Sequence, residues 1–221
     1  MKEGDFVYID FTGRAKDTDE VFDTTIEEMA KLAGIHNPKT VYTPVPIIIG
    51  ASQLIPGLDE AIKEMNVGDK KKIELQPDKA FGERNSELVK LFPMSIFKQN
   101  NIDPEPGRVV TFNGTNGKIL NIDGGRIKVD FNHPLAGKVI QYDLEIKSEI
   151  TESNEKAGSV FQYYTGIKDN VNVTMNDSQV SISTERADFP KQVKQQIADT
   201  IIKWVDGISK VSFVDVFEKG K

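Results

Sequence analysis

Ile49-Gly50-Ala51-Ser52-Gln53-Leu54-Ile55-Pro56-Gly57-Leu58-Asp59-Glu60-Ala61-Ile62 leaves an apolar run, turns at a glycine and enters a helix. The run Pro46-Ile47-Ile48-Ile49 has the length and β-branching of a buried strand, and Gly50 ends it. From Gly57 onward, Leu58, Ile62 and Met65 recur at helical spacing on one face, and Val67-Gly68 closes the helix. Strand signals stand on either side. Residues 5–12, DFVYIDFT, alternate apolar and polar side chains, the period-2 mark of a half-buried strand, with Gly13 as punctuation. Residues 69–77, DKKKIELQP, read as another strand whose three lysines form a solvated edge. The layout is α+β.

Further out, Ile26, Met29, Ala30 and Ala33 fall near a helical period, with Thr25 as cap and Gly34 as stop, before an extended proline-rich segment at 36–46. Residues 86–131 form a module of their own. It has a short helix at Met94–Gln99, then strands at Val109–Phe112, Lys118–Asn121 and Arg126–Phe131, separated by Asn-Gly, Thr-Asn-Gly and Asp-Gly-Gly turns whose residues tolerate positive φ. Strand character returns at Lys138–Lys147, which can complete the sheet left open before the module. The polar stretch at 150–156 marks a boundary. Beyond it come a helix bearing Ala157, Val160, Phe161 and Tyr164 and stopped at Gly166, and a hairpin turning at Asn176-Asp177. A second helix begins near Pro190 and carries Val193, Ile197, Ile201, Trp204 and Val205 as far as Gly207, and the VSFVDVF strand closes this α+β segment.

The composition, 38% hydrophobic and 28% charged over 221 residues, is that of a soluble globular chain of two domains or one domain with modules. A net charge of -6 argues against nucleic acid as a partner. With no cysteine there is no disulfide or thiolate chemistry, and a cytoplasmic setting is expected. The start MKEGDFVYIDF lacks the pattern of a leader, and no apolar stretch is long enough to span a membrane. His36 and His133 have no ligand partners at metal-binding spacing and read as turn residues. Paired carboxylates such as Glu27-Glu28 and Asp59-Glu60 read as solvated helix faces. No nucleophile elbow, phosphate loop or zinc motif occurs, so neither metal nor cofactor is expected.

Four motifs then stand in order: Phe11-Thr12-Gly13; Val21-Phe22-Asp23-Thr24-Thr25; Ile49-Gly50 with Gln53-Leu54-Ile55-Pro56-Gly57-Leu58; and Ala80-Phe81-Gly82. Together they resemble the FKBP family of peptidyl-prolyl cis/trans isomerases. The 86–131 module, followed by Asn132–Gly137 and Tyr142-Asp143-Leu144-Glu145, is similar to the SlyD-type branch. The helix at 25–34 and the Lys210–Val214 ending look like long archaeal members that carry a C-terminal domain.

This resemblance implies an FKBP half-open antiparallel β-barrel around a helix (1–85 plus 132–150), a small β-rich inserted chaperone domain (86–131) and an α+β C-terminal domain (151–221). It places Asp23, Phe81 and Tyr142 at the reacting bond and Phe11, Phe22, Gln53, Leu54, Ile55, Leu58 and Leu135 around the substrate. Partners would be proline-containing peptides and unfolded proteins, with no membrane. In the inserted module Leu88, Leu91, Phe92, Met94, Ile96 and Phe97 read either as a client-holding face or as the module's own core. The C-terminal segment is open to a homodimer role, prompted by Trp204. Positions commonly Tyr, Trp and Tyr in the family are Phe11, Leu58 and Phe81 here, so the pocket is more apolar and Asp23 loses a phenol partner. Affinity for macrolide inhibitors is not implied, and without a His-rich tail no nickel role is expected.

Overall fold

A computed structural model describes residues 1–184 and 189–215. Along them run β1 (Phe6–Ala15), β2 (Glu20–Thr24), α1 (Glu27–Leu32), β3 (Val45–Ile48), α2 (Pro56–Lys63), β4 (Lys70–Leu75), β5 (Val89–Pro93), α3 (Met94–Gln99), β6 (Val109–Phe112), β7 (Thr115–Asp123) and β8 (Arg126–Asp130). There follow β9 (Ile140–Ile150), α4 (Ser153–Thr165), β10 (Val171–Asn176), β11 (Gln179–Thr184), α5 (Lys191–Trp204) and β12 (Lys210–Asp215). The chain separates into two compact units, Met1–Leu75 with the chain from Ile140 onward, and Gln76–Val139.

In the first unit an antiparallel sheet runs β2-β1-β9-β4 and does not close on itself. β9 lies along the whole of β1. The other edge of β1 is shared: Phe6–Ile9 pairs with β3, and Thr12–Ala15 pairs with β2. Alternation along β1 buries Val7 and Ile9, and α2 inserts Leu58 and Ile62 into the interior. Leu75 at the end of β4 pairs with Ile140 at the start of β9, so the whole second unit is the connection of a hairpin.

The C-terminal part of this unit packs α4 and α5 with β10-β11-β12. α4 ends at Gly166, whose φ of 71° gives the left-handed cap that releases the chain. Phe161, Val160, Ile197, Ile201, Val180 and Ile182 form its core, and that same core takes in Phe6, Ile48 and Ile150 from the sheet.

The second unit is a β5-β8-β7-β6 sheet with α3. Phe97, Val110, Ile119, Ile127 and Val129 are its buried centre, with Phe92, Met94, Phe112 and Phe131 packed against them. Phe92 stacks on Phe112 at 4.9 Å between ring centroids.

Several expectations change. β1 does not stop at Gly13 but runs on to Ala15, because β9 continues to pair with it. Thr25 does not cap α1: its hydroxyl donates to Asp10 Oδ1 (2.7 Å) and accepts from the Phe11 N–H (3.0 Å), and Ile26 holds the cap position. β2 and β5 are strands that no local pattern in the sequence announces. β12 pairs parallel to β11, and Val216 and Phe217 of the expected closing strand lie outside the described residues.

Candidate active site

The first unit brings three of the expected rings together. Phe11 and Gly13 face the same side of β1, and their cross-strand partners on β9 are Leu144 and Tyr142. Tyr142 therefore lies diagonal to Phe11, within reach of large side chains. Their rings meet edge-on at 5.9 Å and 66°. Phe22, from β2, meets the other edge of Tyr142 at 5.9 Å and 89°. Tyr142 is buried, while Phe11 and Phe22 are half-buried. Such T-shaped contacts set the positive edge of one ring against the negative face of another.

The electrostatics follow from burial. Burial, helped by the charge of Asp23, pushes the Tyr142 hydroxyl well above the usual phenol range, so it stays protonated. Asp23 itself is raised above the ordinary carboxylate range by loss of water, partly offset by the backbone N–H of Thr24. It retains an open side to solvent all the same.

Leu58 sits 3% exposed on α2, as much a core residue as a wall. Leu54 and Ile55 are half-buried just before that helix, and the Ile55 carbonyl accepts from the Leu58 and Asp59 N–H groups. No hydrogen bond within the described residues takes up the Ile55 N–H. The Gln53 side chain is already engaged, its Oε1 accepting from the Ile48 N–H at 2.7 Å. Gln53 thus ties its loop to the end of β3.

Phe81 and Leu135 belong to the second unit. There Phe81 stacks face to face on His133 at 4.8 Å and 5°. His133 Nδ1 accepts from the Leu135 N–H at 3.2 Å, the expected turn role, but its stacking on Phe81 carried no sequence signal. Gly137 N–H donates to the Gly82 carbonyl, and Arg84 donates to Asp130 Oδ2 through Nε (3.1 Å) and Nη2 (2.6 Å). Of the proposed client-holding residues, Leu91 and Leu88 are 60% and 39% exposed. Phe97 is fully buried, a correction: it is the centre of the unit's core, and Phe92 and Met94 pack against it.

Elsewhere, a cavity of about 350 Å³ opens beside Asp10, Thr12, Lys72, Asp143 and Glu145, sharing only Phe11 with the ring cluster. Its charges are paired across strands, Lys70 with Glu145 and Lys72 with Asp143, which leaves the rings as the candidate site. Among the described residues no group of His, Asp and Glu could hold a metal, and no helix is long and apolar enough to cross a membrane.

An open antiparallel sheet packed on one helix, interrupted between its fourth and last strands by an inserted unit, is the architecture of an FKBP-class proline isomerase. Residues 1–98 match the FKBP-type peptidyl-prolyl cis-trans isomerase family, residues 90–135 the FKBP26 IF domain, and residues 153–218 the FKBP26 C-terminal domain. The chain is 33% identical over 147 residues to the short-type peptidyl-prolyl cis-trans isomerase of Methanocaldococcus jannaschii, covering 66% of this chain and 92% of that protein. It is 35% identical over 108 residues to an FKBP-type 16 kDa peptidyl-prolyl cis-trans isomerase of Escherichia coli, covering 47% and 72%. To SlyD of Vibrio cholerae it is 32% identical over 111 residues, covering 48% and 55%. The chain belongs to the FKBP-type peptidyl-prolyl cis-trans isomerase family and is of the long, FKBP26-like type. Its substrates are proline-containing peptides or proteins.

Proposed function

We propose that Phe11, Phe22, Tyr142 and Leu58 of the first unit receive the proline, that Phe81 and Leu135 of the inserted unit also act on substrate, and that the inserted unit holds unfolded clients. Rotation about an X–Pro bond breaks no covalent bond, yet its barrier is about 18–20 kcal/mol because the twist forfeits amide resonance. The twisted amide has less charge separation than the planar one and loses less on leaving water, so an apolar ring-lined site binds it preferentially. The converging rings at Tyr142 are the observation that carries this reading. The unengaged Ile55 N–H is suited to donate to the substrate carbonyl, and the neutral Tyr142 hydroxyl beside Asp23 supplies a polar edge.

The holding role rests on the exposure of Leu88 and Leu91. Such side chains outside a core are suited to capture apolar segments before they aggregate. A cysteine-free chain suits the cytoplasm. In the C-terminal segment Trp204 packs against the core, so a second copy would attach through the exposed Ile202 and Val214.

The test compares Phe22→Ala with Leu88→Ser/Leu91→Ser in the intact chain. Phe22→Ala lowers kcat/KM on a short X–Pro peptide about tenfold, the equivalent of ~1.4 kcal/mol of transition-state stabilisation. The double serine variant leaves that peptide rate unchanged and weakens suppression of aggregation of an unfolded protein. The opposite pattern would show that both sites are misplaced.

A further inference from the structure

Gly13 lies against the rings of Phe22 and Tyr142, and its backbone is not in the left-handed region, so nothing in its conformation requires glycine. Space does. A Cβ at this position would lie 2.7 Å from Tyr142 Cε1, 2.7 Å from Phe22 Cζ and 3.0 Å from Phe22 Cε2, closer than carbon atoms approach. Both obstructing groups are ring edges, stiff bodies that move only as a whole.

The pairing of β1 with β2 shows how Phe22 comes to lie there. Gly13 pairs with Asp23, but Arg14 pairs with Val21, so Phe22 is the extra residue of a bulge. A bulge locally kinks the strand and re-aims a side chain. Here it delivers the Phe22 ring over the bare backbone of Gly13, where Tyr142, the direct cross-strand partner of Gly13, already lies.

We propose that Gly13 is a positioning residue of the isomerase site: its missing side chain, together with the bulge at Phe22, sets where the Phe22 and Tyr142 rings stand. A methyl group there pushes both rings toward the space the proline would occupy. The inference rests on the reading of these rings as the substrate pocket. Gly13 touches no substrate and acts only through the two rings.

The test uses the full chain carrying Gly13→Ala, Phe22→Leu and the two together, with kcat and KM measured separately on a short X–Pro peptide and the folded fraction taken from circular dichroism. Gly13→Ala raises KM and lowers kcat/KM on the order of tenfold to a hundredfold, as misplacement by about 1 Å does. Phe22→Leu removes two of the three ring atoms that block a Cβ and leaves only Tyr142 Cε1, so Gly13→Ala costs clearly less in the Phe22→Leu background than in the wild type instead of multiplying the losses. Independent, multiplying losses overturn the proposal. So does a fall in kcat that merely follows the folded fraction with KM unchanged, or failure of both alanine-bearing variants to fold. If Phe22→Leu alone is silent, the pocket reading falls and takes Gly13 with it. If Phe22→Leu costs activity and Gly13→Ala does not, only the role of Gly13 falls.

Discussion

Asp23 carries a carboxyl that loss of water raises above its ordinary range, so the folded protein holds its proton more tightly than the unfolded chain does. Between the unfolded and the folded pKa the native state binds the extra proton, and stability falls as pH rises through that window. At neutral pH the ionised Asp23 is therefore a cost to stability. Asp23→Asn, which cannot ionise, should raise the melting temperature by no more than a few degrees at pH 7, because solvent on the open side of the carboxyl screens the effect. Melting curves across pH check this: the advantage should vanish below the ordinary aspartate range, and an advantage that grew in acid would reverse the sign. At this scale the ring residues Phe11, Phe22 and Tyr142 were legible, because an ordered set of motifs identified them. The role of Gly13 was not, since a glycine at the apparent end of an alternating run looks the same whether it stops a strand or clears space for a ring.

Among the elements, the helices with a strong apolar stripe were the plainest. α3 was expected at Met94–Gln99 and lies there, and α5 carries Ile197 and Ile201 inward as its spacing predicts. β2 and β5 escaped because pairing partners, not local pattern, make them strands. β2 is five residues broken by a bulge, and β5 takes its register from β8. The parallel pairing of β12 is likewise invisible in its own residues. α3 illustrates what the inserted unit depends on. Phe97 on this six-residue helix fills the centre of a small core, and Phe97→Ala should cost about 3–5 kcal/mol by opening a cavity there. Hydrogen exchange should show β5–β8 losing protection in this variant while β1 and β9 keep theirs. Loss of protection throughout would mean that the inserted unit is no separate cooperative body.

For the molecule as a whole, the informative feature is the core beneath α4 and α5. Because Phe6, Ile48 and Ile150 lie in it, the isomerase sheet and the C-terminal helices bury their apolar surface together. Trp204, the single tryptophan, packs against the same cluster and reports on it. Phe161→Ala should therefore cost about 3–5 kcal/mol and lower the fluorescence and far-ultraviolet transitions by the same amount. Two separated transitions would show the C-terminal segment to be an appendage.

That shared core also sets an order of events during synthesis. Phe6 emerges from the ribosome before the inserted unit, whereas Phe161, Ile197 and Ile201, which cover it, emerge after the whole of that unit. The inserted unit, with all its core contacts between residues 92 and 131, can close while the strands that flank it still wait. A proline isomerase is thus itself assembled from its middle outward, with Phe6 left uncovered until α4 and α5 have been made.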